Sequence, residues 1–386
     1  VTISLRNVRL LAYALVAIQV AQGAPLGMGS FQRTYWVANY DHGFVRRGLT
    51  GTLLQVIAGR RTETSILVAG WVVVSLATAS LILVVELLLR RATTVSCILA
   101  LLVASSPFTI DSAFTRRGPD QLAIPLLVLL GVGLVHRPKW KLRLCGAAGV
   151  LFATLVFFHE GVVLEFLPFA LVMVVLVARW GKDRWRTAET GRALACVALP
   201  SLAAGVVVLA YGRPSVAQIL SLRQDAASAG LAPDAVNYFH LNLRQSLDIM
   251  ANYPRGPLTR SMAIGISYAV AYAVALRRWA GRNPALDAWR ASPFGPIVVT
   301  GTLAAVVVLF ATGHDWLRWW ATLGGALLIV VSVTELACEA PSSSSSESAG
   351  ITLPWALPVV AMYLAMLTPM FENASRLGDL KRAFLP

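Results

Sequence analysis

Long apolar runs, broken by short polar segments, repeat along almost the whole chain. The runs cover about Leu10–Met28, Ser65–Leu89, Val95–Ala104, Gln121–Val135 and Leu144–Phe158, a sixth that returns to Ala178, Ala193–Tyr211, Ser261–Leu276, Pro296–Thr312, a tenth that ends at Ala337, and Ile351–Met370. A helix crossing a bilayer needs roughly 20 apolar residues, and the pattern offers about eleven candidates. Strands of a membrane β-barrel would alternate apolar and polar positions over about ten residues, and no such alternation is visible. The expectation is an all-α, polytopic transmembrane helical bundle forming a single transmembrane domain over 1–386. Between the spans it has a first outer loop at 29–64, a long outer loop at 212–259 holding a helix over Ser215–Ala229, and a Ser-rich flexible linker at 340–350. Gly51–Ala58 is too short to span and is expected to lie along the membrane interface.

Composition narrows the class. The chain is 57% hydrophobic and 13% charged, where a soluble domain carries about a quarter charged residues. The formal net charge is +14, which beside a bilayer favours anionic headgroups and phosphates and, with no soluble basic domain, argues against nucleic acid. Arg far outnumbers Lys, and Ala, Val and Leu dominate, as in a GC-rich bacterial genome. The four cysteines, Cys97, Cys145, Cys196 and Cys338, form no CxxC or Cys/His pattern and read as buried packing residues. Arg6 and Arg9 precede the first run as in a signal peptide, but the apolar pattern continues for hundreds of residues, so an uncleaved first helix is expected.

Numbering the loops alternately sorts them into two kinds. One side holds Asp41–Arg47, Asp111–Asp120, His159-Glu160, the 212–259 loop and His314–Arg318, all of mixed charge. The other side holds the plain basic segments Arg90-Arg91, Arg137–Arg143, Arg179–Arg186 and Arg277–Arg290. Arg6 and Arg9 place the N-terminus in the cytoplasm. The mixed clusters are then expected on the extracytoplasmic face of a bacterial inner (plasma) membrane, where their arginines imply an anionic ligand.

The densest cluster is Tyr40-Asp41-His42-Gly43-Phe44-Val45-Arg46-Arg47-Gly48. An acid, an imidazole and two guanidiniums beside apolar spans suit glycosyl transfer from a polyprenyl-phosphate sugar. A carboxylate takes the acceptor's proton, and guanidiniums bind the departing phosphate through paired hydrogen bonds. Asp41 and Glu160 are the candidate catalytic acids. His42, Arg46, Arg47, Asp111, Arg116, Arg117, Asp120, His159, His314, Asp315 and Arg318 are the candidate substrate-binding residues. Asp41, Asp111, Asp120, Glu160 and Asp315 are hard ligands suited to magnesium or manganese, but no tight DxD spacing occurs. No cofactor is expected, and a divalent metal stays open.

With Asp41 in the loop after the first span, flanked by Arg46 and Arg47, and Asp111 and Asp120 in the second loop of that side, the chain resembles the GT-C superfamily of integral membrane glycosyltransferases. That resemblance implies a multi-helix transmembrane fold, a lipid-phosphate-linked sugar donor, a glycan or lipid acceptor, and an acid of the first outer loop at the chemistry. Apolar runs continue to Met370, so the large C-terminal soluble domain that several members carry is not expected here. Two other readings remain: an O-antigen-type polysaccharide polymerase or ligase, working through Arg and His of the outer loops, and a lipid-linked glycan transporter or flippase.

Overall fold

The computed structural model describes residues 2–24, 28, 33–106, 109–110, 117–180, 185–231, 233, 236, 239, 243–252, 262, 265–266, 292–312, 316–338 and 351–352. Helix α1 (Leu5–Gly23) starts five residues before the apolar run because Ser4 caps it, its Oγ accepting from the Asn7 amide. Helix α2 (Gly48–Ala58) follows the first loop. Helix α3 (Glu63–Arg91) carries a capping box between Thr62 and Ser65 and ends on two arginines, the charge order that suits a helix dipole. After α4 (Thr94–Ser105) come α5 (Ala123–His136), α6 (Lys141–Phe158), the short α7 (Val162–Glu165) and α8 (Leu167–Trp180). Next are α9 (Thr187–Tyr211), α10 (Val216–Ser228), α11 (Leu243–Asn252), α12 (Gly295–Thr312) and α13 (Trp316–Ala337). The described strands are β1 (Thr2–Ile3) and β2 (Ile351–Thr352), an antiparallel pair.

Seven described segments are long and apolar enough to cross a membrane: Glu63–Arg91, Pro119–His136, Pro138–Phe158, Val162–Arg179, Thr187–Tyr211, Gly295–Thr312 and Trp319–Ala337. The chain is a helical membrane protein. Nearly all of the expected runs Ser261–Leu276 and Ile351–Met370, and the whole 340–350 linker, lie outside the described residues. Ile351 and Thr352 are extended and paired with β1, so the last run does not begin as helix at Ile351.

The expected third span takes a different form. Helix α4 has 12 residues, about 18 Å, roughly half a bilayer core. Every residue from Ser96 to Ser105 is buried, so its apolar sequence reflects packing inside protein, not contact with lipid. A helix ending at that depth needs partners for its last carbonyls. Gln19 Nε2 donates to Ser105 O at 2.9 Å, and the single Thr109 hydroxyl stands 2.7 Å from both Val103 O and Ser106 O, within reach of either. Arg117 lies at the end of the bundle where α1 finishes, its Nη2 donating to Ala24 O at 3.2 Å.

Burial separates centre from periphery. The α13 span is 78% buried, whereas the α12 span is 22% and the α9 span 33%. Exposed Leu199, Leu202, Val206 and Leu209 on α9, with Ile297, Leu303 and Val307 on α12, are the lipid-facing surface. Helices α6 and α9 approach closely at Gly149, where a Cβ would lie 2.0 Å from Cys196 O. Apolar side chains gain little from leaving lipid, so such close packing is what holds helices together there.

A second core caps one end of the bundle. Met28, Tyr35, Trp36, Val37, Ala38, Val45 and Leu54 meet Ile66 and Val73 of α3, Ile219, Leu222 and Ala226 of α10, and Phe239. Ile219, Leu222 and Ala226 recur at helical spacing, so α10 turns one apolar face onto the first loop. The segment expected as a polar loop is therefore largely interior: Thr34, Tyr35, Val37, Ala38 and Asn39 are all buried.

Candidate functional site

The first-loop motif folds as two turns leading into a helix start. Gly43 N donates to Tyr40 O at 3.0 Å and adopts φ +99°, a conformation glycine takes without strain. Asn39 Oδ1 accepts from the Asp41 amide at 2.8 Å, and Thr52 Oγ1 accepts from the Tyr40 amide at 3.0 Å. Arg47 stands at φ +65°, a left-handed conformation uncommon outside glycine, just before α2 begins. Gly51 lets α2 lie against the loop: its amide donates to Ala38 O at 2.9 Å, and a Cβ would come within 2.3 Å of that oxygen. Tyr40 stacks on Phe44 with ring centroids 5.5 Å apart. Burial pushes the Tyr40 phenol up to about 12, against the pull of a hydrogen bond at Leu49, so it stays neutral.

Two charged groups result. In the first, Arg47 grips Glu160 with both ends, Nε to Oε2 at 2.8 Å and Nη2 to Oε1 at 2.6 Å. Arg46 Nη1 stands 3.7 Å from the same Oε1, and Arg213 is close enough to act on Arg46 by charge. The Arg47 guanidinium lies over Tyr35 at 4.8 Å and Phe239 at 5.2 Å, and His159 meets Tyr35 edge-to-face at 5.2 Å. Burial alone would raise the Glu160 carboxyl. The charge and hydrogen bonds of Arg47, then Arg46 and His159, outweigh it and hold the group well below the ordinary 4.5.

In the second group, Asp225 of α10 is the hub. Its Oδ2 accepts from Asn39 Nδ2 at 2.9 Å, stands 3.1 Å from His42 Nε2, and pairs with Arg61 Nη2 at 3.5 Å. Arg61 Nη2 also reaches Asp41 Oδ2 at 3.1 Å. The Asp41 side chain is 43% exposed, the most open of these, against 23% for Asp225 and 16% for Arg61. The backbone joins the groups: Arg46 N donates to Gly212 O at 2.6 Å, and Gln218 Nε2 donates to His42 O at 2.8 Å.

The structure thus gathers Asp41, His42, Arg46, Arg47, His159 and Glu160 at one end of the bundle, with α10 against them. Arg117 is at that end, accepting from Trp36 Nε1 through its carbonyl at 3.3 Å, but its guanidinium lies over Trp71 at 4.2 Å and reaches the last carbonyls of α1. Asp120 is 3% exposed, within a turn where it takes Gln121 Nε2 at 3.0 Å. Asp111, Arg116, His314 and Asp315 lie outside the described residues, as does the Arg318 side chain. Among the described residues, the basic segments around Arg90-Arg91 and Lys141 lie at the opposite end, where Arg9 and Arg90 meet Glu86, Arg91 donates to Glu335 O, and Lys141 pairs with Glu189 at 2.8 Å, while Arg277–Arg290 lies outside the described residues.

Sequence reasoning left Asp225, Arg61 and Tyr35 without a role. The available signal for Asp225 was its spacing of two helical turns from Gln218 beside the apolar face of α10. No group of three or more His, Cys, Asp or Glu among the described residues is placed to hold a metal ion. A small cavity lined by Thr109, Gln121, Phe166 and Thr322 lies inside the bundle, and its roughly 10 Å³ holds about one water, too little for a substrate.

Both groups and their tie to α10 fall within a stretch, residues 5–226, that matches the model of the family described as uncharacterised membrane protein Rv1490. The chain belongs to the Rv1490 family. It is 24% identical over 334 residues to the Uncharacterized protein Rv1490 of Mycobacterium tuberculosis (strain ATCC 25618 / H37Rv), covering 77% of this chain and 75% of that protein. The Uncharacterized protein Mb1527 of Mycobacterium bovis matches to the same extent. No solved structure matches significantly. The Rv1490 family match contains Asp41, His42, Arg46, Arg47, Arg61, Glu160 and Asp225.

Proposed function

We propose that this Rv1490-family protein is a membrane glycosyltransferase of GT-C-like architecture. It moves a sugar from a polyprenyl-phosphate donor to a glycan, lipid or cell-envelope acceptor at the extracytoplasmic face of the inner membrane. The observation that carries the reading is that an open carboxylate, Asp41, paired with Arg61, and the guanidiniums Arg46 and Arg47, both turned to Glu160, stand in one loop at one end of an apolar bundle.

In this reading Asp41 takes the proton of the acceptor hydroxyl, whose oxygen attacks the anomeric carbon. The bond from that carbon to the phosphate oxygen breaks, and the phosphate leaves with the electron pair toward Arg46 and Arg47. Glu160 has both oxygens engaged by Arg47 and stays ionised, which suits holding guanidiniums in place better than accepting a proton. The apolar faces of α2 and α10, with exposed Leu53, Val56, Ile57, Val216 and Leu220, offer a greasy border for the lipid tail.

The polymerase or ligase reading draws on a different observation: Asp41 is paired with Arg61, while His42 is seated on Asp225. The test is Asp41→Asn in cells, with lipid-linked oligosaccharides profiled. Accumulated donor supports Asp41 as base, whereas unchanged profiles beside loss in Arg46 and His42 variants favour the polymerase. In proteoliposomes, movement of a lipid-linked sugar without product would instead mark a transporter.

A further inference from the structure

His42 is held from α10 at two points. Gln218 donates to its carbonyl at 2.8 Å, and Asp225, two helical turns further along the same face, meets its ring at 3.1 Å. Gly43, at φ +99°, lets the chain turn immediately afterwards, where a Cβ would stand 3.0 Å from Gln218 Nε2. An ionised carboxylate only accepts hydrogen bonds. The nitrogen facing Asp225, Nε2, must therefore carry a proton, and in the neutral ring Nδ1 is left with the lone pair. Among the described residues Nδ1 has no hydrogen-bond partner, and the side chain is 31% exposed. Arg61 bridges Asp225 to Asp41, so the imidazole and the open carboxylate share one ionic frame.

We infer that Asp225 is a positioning residue that fixes His42 as the Nε2–H tautomer and makes its Nδ1 a second proton acceptor beside Asp41. The role in proton transfer rests on the transferase reading; the tautomer does not. The acceptor's proton passes to Nδ1, and the imidazolium so formed is stabilised by the Asp225 carboxylate until water removes the proton. Among the described residues, the charged groups that meet His42 are Asp225 of α10 and, through Asp225, Arg61 and Asp41 of the first loop.

The test uses the full chain in nanodiscs with ¹⁵N-labelled histidine. The chain has five histidines, and His42→Gln identifies the His42 signals by their loss. Above the ordinary imidazole range, at about pH 8, the wild type is expected to show a protonated Nε2 and a bare Nδ1. Asp225→Asn, whose amide can donate as well as accept, is expected to give a mixture of tautomers, while Arg61→Gln keeps the wild-type form. A wild-type spectrum with the proton on Nδ1 overturns the inference, as does an Asp225→Asn spectrum identical to wild type. Should Asp225→Asn fail to fold, the wild-type tautomer alone decides. In a transfer assay with a polyprenyl-phosphate sugar, Asp225→Asn should lower kcat about 10- to 100-fold with KM unchanged. Absence of transfer by the wild type would remove the transferase reading, while the spectra would still decide whether Asp225 sets the tautomer.

Discussion

Arg47 and Glu160 meet through two hydrogen bonds although 113 positions separate them, so a single side-chain pair ties the first loop to the junction of α6 and α7. Both side chains are largely buried, at 14% and 20% exposure. Removing one partner strands the other in a poor solvent, a loss of about 3–5 kcal/mol for fully buried pairs and less here. Glu160→Gln and Arg47→Leu should each destabilise the detergent-solubilised protein by about 2–4 kcal/mol, and the double variant by clearly less than their sum. A double-mutant cycle on thermal melting checks this, and strict additivity would mean the two side chains do not act as a pair.

The same carboxylate sets an acid dependence. Glu160 titrates lower in the folded protein than its ordinary 4.5, so its contribution is fully present above that value. It is lost as pH falls through the lower folded value. Melting temperature should therefore hold between pH 7 and about 4.5 and decline below it. In Glu160→Gln, which carries no titrating group at that position, the curve should start lower and part of the acid decline should vanish.

Asp41 separates chemistry from stability. Its carboxylate is 43% exposed, and its pair with Arg61 has the character of a surface ion pair, worth about 0–1 kcal/mol. Asp41→Asn should melt within about 1 kcal/mol of wild type. Loss of a general base typically lowers turnover about 10²–10⁴-fold, and transfer from a polyprenyl-phosphate sugar should fall by that order. Turnover equal to wild type would shift the proton acceptor elsewhere in the cluster.

Glycines on one helix give a matched pair. A Cβ on Gly149 would lie 2.0 Å from Cys196 O, a backbone atom that cannot swing aside, whereas nothing lies within 4 Å of a Cβ on Gly146. Gly149→Ala should push α6 and α9 apart and cost about 1–3 kcal/mol, read as a lower melting temperature in detergent. Gly146→Ala should be neutral or stabilise by up to about 1 kcal/mol, because alanine favours helix.

Much of the helical frame follows from hydropathy alone, since period and length depend on neighbours in the chain. The expected run Ser65–Leu89 became Glu63–Arg91, Pro296–Thr312 became Gly295–Thr312, and the helix placed at Ser215–Ala229 is Val216–Ser228. Hydropathy does not distinguish lipid from protein as the apolar surroundings, which is why Val95–Ala104 read as a full span and is a buried half-helix. The site was legible as a clustering of charged loops on one side, and Asp41, Arg46, Arg47 and Glu160 do gather there. Its internal wiring was not: Asp225 reaches His42 across 183 positions, and only tertiary packing of the α10 apolar face brings them together. The burial of Tyr35 through Asn39 was hidden for the same reason, because a segment read as an outer loop instead fills a second core.

The two charged populations sit at opposite ends of the bundle, which makes sidedness measurable. Arg60 is exposed at the Asp41 end, next to Arg61, and Lys139 is exposed among the basic residues at the other end. In a variant with the four native cysteines replaced, Arg60→Cys should react with a membrane-impermeant maleimide in intact cells. Lys139→Cys should react only after permeabilisation, as the Arg6 and Arg9 bias toward a cytoplasmic N-terminus requires. Labelling of both sites from outside would break the two-ended arrangement itself. Labelling of Lys139→Cys alone from outside would keep that arrangement and invert it, moving Asp41 and its guanidiniums to the cytoplasm, where a nucleotide-sugar donor becomes the natural candidate.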